Sequence, residues 1–322
     1  MEDWQPKLAQ LGIAVALFMG VVALVLLIAE KSPRKLRDKI AVALFAGPAL
    51  FLVGFGLVYP ALRTSLLSFR DRDGEGFVGL ENYIWAFADE QGFVAMRNTF
   101  IWVLLVPTLA TVIGLLYAIL IDRSRFESIA KSLLFMPMAI SLVGAGIIWK
   151  FVYAYRPEGK DQIGLWNQVR VWVGLSPDQV LNDAPSNTLF LIVVMIWVSA
   201  GFAMVVLSAA IKAVPNEIIE AARLDGVNAW QMFRNVTLPV IRPSVVVVLT
   251  TLLIGVLKVF DIVRTMTGGQ FETSVIANEM YVQSFRNAQA GRGAALAVLI
   301  FVLVIPIVAY NVRQLNQTRE IR

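Results

Sequence analysis

The chain has no cysteine and no histidine among its 322 residues. That excludes disulfides, thiol catalysis, imidazole metal sites and imidazole proton relays. Charge is scarce as well: 16% of the residues are Asp, Glu, Lys or Arg, against about 25% in soluble domains. No Gly-x-x-x-x-Gly-Lys-Ser/Thr occurs, so the chain does not hydrolyse ATP through a P-loop. What it has is apolar surface, with 58% hydrophobic residues and a mean hydropathy of +0.70. Seven apolar runs approach the ~20 residues that cross a ~30 Å hydrocarbon core. They are Leu11–Ala29, Ile40–Pro60, Phe100–Ile121, Ser132–Tyr153, Leu189–Ile211, Ser244–Ile262 and Ala294–Val312. Composition therefore predicts an all-α, polytopic transmembrane helix bundle of about seven spans. No internal repeat or low-complexity linker divides it, and residues 1–322 read as one membrane domain. Its N-terminal part, residues 1–39, carries an extra span and a loop, and the core is 40–322. The first run follows an acidic start (Glu2, Asp3) with Lys7 alone as a basic residue. It has no clear small-x-small cleavage site, which favours a retained span over a signal peptide.

The distribution of Lys and Arg predicts the orientation. The loops Lys31–Lys39, Arg123–Lys131 and Lys212–Arg242 and the tail after Val312 together carry 15 basic residues. The alternate loops, over a greater length, carry 9. The first set is expected in the cytoplasm, the amino terminus outside and the carboxyl terminus inside. This asymmetry also accounts for the pI near 9.5 without any nucleic-acid partner.

Within the cytoplasmic set, one polar stretch stands between two apolar ones, Pro215 to Pro239. It reads as two short helices around a glycine corner. Pro215 suits a first helical turn, and Glu217 and Glu220 lie near the helix N-terminus, where acids are favoured. Gly226 can take the left-handed conformation that ends a helix. Asn228 and Gln231 have capping-box spacing, and Pro239 and Pro243 are expected to stop the second helix. Ala221 and Ala222 leave one flank smooth, a shape suited to the cleft of another protein. Glu220-Ala221-Ala222, three residues, Gly226, nine residues and Val236-Thr237-Leu238-Pro239 resemble the EAA signature of permease subunits of ABC importers. The one departure is Val236, where the signature has Ile.

The resemblance implies a type I importer permease fold and a coupling loop at 213–242. Glu220, Ala221, Ala222, Asp225, Gly226, Leu238 and Pro239 would dock an ATPase there. It implies a second permease chain, two ATPase subunits that bind ATP and Mg, and an extracytoplasmic sugar-binding protein, all at the cell inner membrane. No cofactor or metal is expected in this chain, and it is not expected to be an enzyme itself. Gly79-Leu-Glu-Asn-Tyr83, Asn98-Thr99, Gly164-Leu-Trp-Asn167 and Thr267-Gly-Gly269 resemble elements of the carbohydrate branch, above all maltose and other α-glucoside permeases. Gln270-Phe271 departs from the Gly-Pro usual after that last turn. By position, the resemblance makes Trp197, Ser199 and Phe202 pathway-lining residues.

Three further expectations come from the residues. Asn98 and Thr99 are sensible N-caps for the third span. Met136-Pro137 should bend the fourth. Lys258 and Asp261, three apart in the sixth, should share a helix face and pair with each other, either as a snorkelling pair at the interface or as the border of a pathway. Substrates other than an α-glucoside, such as glycerol phosphate, stay open. An ion-coupled secondary transporter is the alternative from another class. It would call for acids deep in the bundle, and the spans contain one, Asp261, toward the outer end.

Overall fold

The computed structural model describes residues 37–122 and 124–320, with scattered positions between 10 and 20. The expected first span, most of the Lys31–Lys39 loop and Arg123 lie outside the described residues. The chain forms two compact units, Met1–Thr64 and Ser65–Arg322. In the first, α1 (Arg37–Val53) passes through a π turn at Gly54–Val58 into α2 (Tyr59–Leu67). Phe51, Phe55 and Tyr59 stack along this helix with centroids 5.9 Å apart.

The second unit is helical, with no strand among the described residues beyond an isolated bridge between Arg70 and Phe77. Its elements are α3 (Glu81–Ala88), α4 (Glu90–Ile121), α5 (Glu127–Phe135), α6 (Leu142–Val152), α7 (Leu165–Trp172) and α8 (Asn187–Lys212). They continue with α9 (Asn216–Leu224), α10 (Ala229–Gln231), α11 (Leu238–Leu257), α12 (Asp261–Met266), α13 (Ile276–Tyr281) and α14 (Ala290–Glu320). Among the described residues, five helical runs are long and apolar enough to cross a membrane, and six if the bent pair α5–α6 counts as one. Six of the seven expected spans are thereby accounted for.

The core lies between α4, α8 and α11, around Trp102, Leu191, Met204, Leu207 and Val248. Small residues set its spacing, as is usual where lipid leaves packing rather than hydrophobicity to hold helices together. A Cβ on Gly114 would lie 2.5 Å from Ala203 Cβ and 2.7 Å from the Met204 nitrogen, so α4 and α8 touch backbone to backbone. Gly201 does the same against α5, where a Cβ would stand 2.9 Å from Phe135 Cα. The small-residue patch Ser199-Ala200-Gly201 is thus a packing surface.

Four local expectations are corrected or sharpened. α4 begins eight residues before Asn98, with Asp89 as N-cap accepting from the Gln91 N–H at 3.0 Å. Asn98 and Thr99 are therefore interior residues. Asn98 Nδ2 donates to the carbonyls of Glu272 (2.6 Å) and Ser274 (2.9 Å). Thr99 Oγ1 accepts from the Ile276 N–H at 2.9 Å. Second, the bend expected at Met136-Pro137 is present, and it goes as far as a break in the helix: α5 and α6 meet at 102° across a 3-10 turn, Met136–Ala139. Ser141 restarts the helix by accepting from the Gly144 N–H at 3.0 Å.

Third, Pro239 and Pro243 stop nothing. A single helical run covers Ala229–Leu257, and a π segment, Met232–Thr237, sits just before Pro239. Its wider turns move the carbonyls that a proline ring would otherwise strike. Fourth, α11 ends at Leu257. Lys258 is its C-cap and Asp261 opens the separate α12, so the two share no helix face and no ion pair joins them among the described residues.

The loop motifs have structural roles. Asn82 Nδ2 donates to the carbonyls of Ser68 (3.0 Å) and Arg70 (2.7 Å), and the Tyr83 hydroxyl donates to Ser68 Oγ at 2.7 Å. Asn167 donates to the carbonyls of Ala154 (3.0 Å) and Asp178 (3.1 Å) and accepts from the Asp178 N–H at 2.8 Å. Asp71 accepts from the N–H groups of Glu75 (2.9 Å) and Gly76 (3.0 Å). Desolvation works to raise its pKa, but the backbone donors outweigh it and hold the carboxyl below its ordinary value.

Candidate functional site

At one end of the bundle, α8 gives way to the short α9. Pro215 is the N-cap, one position earlier than expected, and Glu217 lies in the first turn. The helix ends at Gly226, whose φ is +79°, with the Val227 N–H bonded back to the Ala222 carbonyl at 3.3 Å. A Cβ at Gly226 would meet nothing within 4 Å, so the glycine is needed for its backbone conformation alone. Asn228 and Gln231 close the expected capping box: each side chain accepts from the other's backbone N–H at 2.9 Å.

No residue of α9 is buried. Glu220, Ala221, Asp225, Gly226 and Pro239 are exposed, and Ala222 and Leu238 are half-buried. Leu224 is 89% exposed and Trp230 64%, an apolar surface that the second unit itself leaves uncovered. The helix is thus an exposed projection closed by Gly226 at its end and followed at once by the capped start of α10, with its acid Glu220 exposed.

A charge network that sequence reasoning did not single out stands where α8 meets this projection. Lys212, the last residue of α8, bridges Glu127 on α5 and Asp122 at 3.5 Å. Glu127 also pairs with Lys131 at 2.6 Å, and Lys131 donates to Ser208 Oγ. The Glu127–Lys131 spacing was visible as an i,i+4 pair, but the link to Lys212, 85 residues away, is tertiary.

The expected pathway residues are not brought together into one lining. Ser199 is buried within α8, 6% exposed. Phe202 is half-buried and packs on the core. Trp197 meets Trp149 edge-on at 5.6 Å, within an aromatic cluster that continues through Tyr153, Phe190 and Trp166. Lys258 is exposed and opens on a cavity of about 400 Å³ walled by Phe260, Met280, Tyr281 and Phe301. Asp261 stands apart at the start of α12. Larger spaces lie at the end of the bundle opposite α9. One of about 640 Å³ is bordered by Lys150, Tyr153, Tyr155, Gln179 and Asn182. Another, of about 480 Å³, has mostly polar walls. Among the described residues no group of three or more acids could hold a metal ion.

Residues 94–321 match the family described as "binding-protein-dependent transport system inner membrane component". The osmoprotective compounds uptake permease protein GgtC of Synechocystis sp. is 47% identical over 279 residues, covering 87% of this chain and 100% of that protein. The alpha-glucoside transport system permease protein AglF of Rhizobium meliloti is 49% identical over 278 residues, 86% of this chain and 82% of that protein. A solved bacterial alginate ABC transporter, in complex with an alginate pentasaccharide-bound periplasmic protein, contains a chain of the same fold. The TM-score is 0.71 at 25% identity, over 85% of this chain and 93% of that one.

Proposed function

Because the chain belongs to the family of inner membrane components of binding-protein-dependent transport systems, we propose that it is the sugar-translocating permease subunit of an ATP-driven importer, with an α-glucoside of the maltose type as cargo. The observation that carries this is the projection Asn216–Gly226. It holds the docking letters Glu220-Ala221-Ala222 exposed on a short helix that the glycine corner ends. The ATPase subunits grip this helix from the cytoplasm, and a second permease chain completes the pathway. The amino terminus lies outside and the carboxyl terminus inside. The 49% identity to an alpha-glucoside permease protein supports the cargo class. Aromatic faces and small polar groups suit a sugar, and among the described residues no cluster of three or more acids is found that would couple ion flow.

A second cargo reading has support of its own. GgtC, at 47% identity over its whole length, is named for osmoprotective compounds. Uptake of radiolabelled maltose by cells expressing this chain with its neighbouring transport genes separates the two. Maltose uptake that survives an ionophore, stops on ATP depletion and is competed by other α-glucosides supports the α-glucoside. ATP-dependent uptake of a labelled osmolyte without maltose uptake would replace the cargo and keep the machine.

A further inference from the structure

The short helix α7 is built inside out for a helix in water. Its polar side chains turn toward the protein: Asn167 is buried, and Gln168 and Arg170 are half-buried. Arg170 Nε donates to the Ser176 carbonyl at 2.9 Å, and its guanidinium lies 3.9 Å from the Asp178 carboxylate. Every apolar residue of the helix, Leu165, Trp166, Val169, Val171 and Trp172, is exposed. Trp172 is 71% exposed, and Val173, just beyond it, 67%. A surface helix of a soluble protein has the reverse arrangement, with the apolar stripe inward and the polar residues outward.

The position of α7 along the bundle decides which medium meets this face. Asn167 Nδ2 donates at 3.0 Å to the carbonyl of Ala154, two residues past the end of α6. The Trp166 ring stands 5.2 Å from that of Phe190, in the first turn of α8. α7 is thus tied to the ends of two spans, at the level of the membrane–water boundary, where Trp is favoured. On α6, Phe151 is 69% exposed. It borders the cavity of about 640 Å³ together with Ile163, two residues before α7, so the apolar surface of the span runs on into this segment.

We propose that α7 lies in the bilayer interface at the end opposite α9, with the stripe Leu165, Val169, Trp172 and Val173 among the lipid chains, and that it anchors the ends of α6 and α8 to the membrane. These four positions recur at i, i+4, i+7 and i+8, one helical face. Lipid removes their apolar surface from water, while the polar side chains keep their partners inside the protein.

The absence of cysteine makes the test direct. Single cysteines replace Trp172 or Val173 (Trp172→Cys, Val173→Cys) and carry a nitroxide. The labelled chain is assembled with its partner subunits, their own cysteines replaced, in phospholipid nanodiscs. Collision of each label with oxygen, which concentrates in lipid, is compared with collision with a water-soluble nickel chelate. Phe151→Cys is the lipid control, and Lys160→Cys, on the exposed turn before α7, is the water control. Labels at 172 and 173 should favour oxygen over nickel by about threefold or more relative to the label at 160, as the label at 151 does. If either variant fails to assemble, Leu165→Cys and Val169→Cys carry the same test on the same face.

Labels at 172 and 173 as open to nickel as the label at 160 would overturn the proposal, because the face would then stand in water. Labels closed to both reagents would overturn it too, because a protein partner would then cover the face. Neither cargo nor orientation enters the measurement, so it stays readable if the maltose reading fails.

Discussion

At the scale of single residues, a few side chains do what no substitute could do. Gly226 turns the chain at φ +79° with open space around its missing Cβ. Alanine there would incur the backbone cost alone, about 1 kcal/mol. Gly226→Ala should reduce uptake by up to about fivefold at normal membrane levels. Gly226→Pro should abolish it, because proline holds φ near −65° and loses the N–H bonded to the Arg223 carbonyl at 3.0 Å. Uptake normalised to immunoblot signal checks both, and full transport by Gly226→Pro would remove the lever role. Asn167 is buried and fastens α7 to two loop carbonyls and one loop N–H. Asn167→Ala leaves these groups unpartnered, a loss on the order of 1–3 kcal/mol. A lower unfolding temperature in detergent is expected, with unchanged transport per folded molecule.

At the scale of elements, what could be read from the residues was what local chemistry decides. The glycine corner and the Asn228–Gln231 box act within three or four positions, and both stand where spacing put them. Ser199, placed on a pathway by resemblance, lies instead in a small-residue patch of α8 that packs closely, Gly201 leaving no room for a Cβ against Phe135. The misreadings share a different cause. Asn98 and Thr99 have N-cap chemistry, but Asp89 starts the helix earlier and frees them to fasten the chain near residues 272–276. Proline's usual veto on helices was overruled at Pro239 by the π segment ahead of it. Lys258 and Asp261 have helix-pair spacing, but the helix ends at Leu257, before either of them.

The Lys212–Glu127–Lys131 network joins elements far apart in sequence, so only the tertiary structure reveals it. Lys212 is half exposed, which discounts its strength. A double-mutant cycle on Glu127→Gln and Lys212→Gln should yield a coupling of about 0.5–1 kcal/mol in thermal unfolding. Because the network fixes the base of α9, the double variant should lose more in transport rate than in stability. Additive effects on both would reduce it to surface decoration.

At the scale of the whole molecule, the second unit has two ends with different chemistry. One end bears the exposed α9 with its acid, and the uncovered Leu224 and Trp230. The other bears the cavities bordered by Lys150. Between them, α4 and α8 meet backbone to backbone at Gly114, a close-packed connection with no room for a side chain. Gly114→Val should break that connection and lower the yield of folded protein, seen as loss of a monodisperse peak on size exclusion.

The docking role of α9 is tested most directly by co-purification. Affinity-tagged chain, expressed with its neighbouring transport genes, is isolated as wild type and as Glu220→Lys, and the ATPase in each eluate is quantified. Stoichiometric ATPase with wild type and a loss of tenfold or more with Glu220→Lys, at equal recovery of the permease, is the expected result. ATPase retained in full by Glu220→Lys, or absent from wild type, would contradict it.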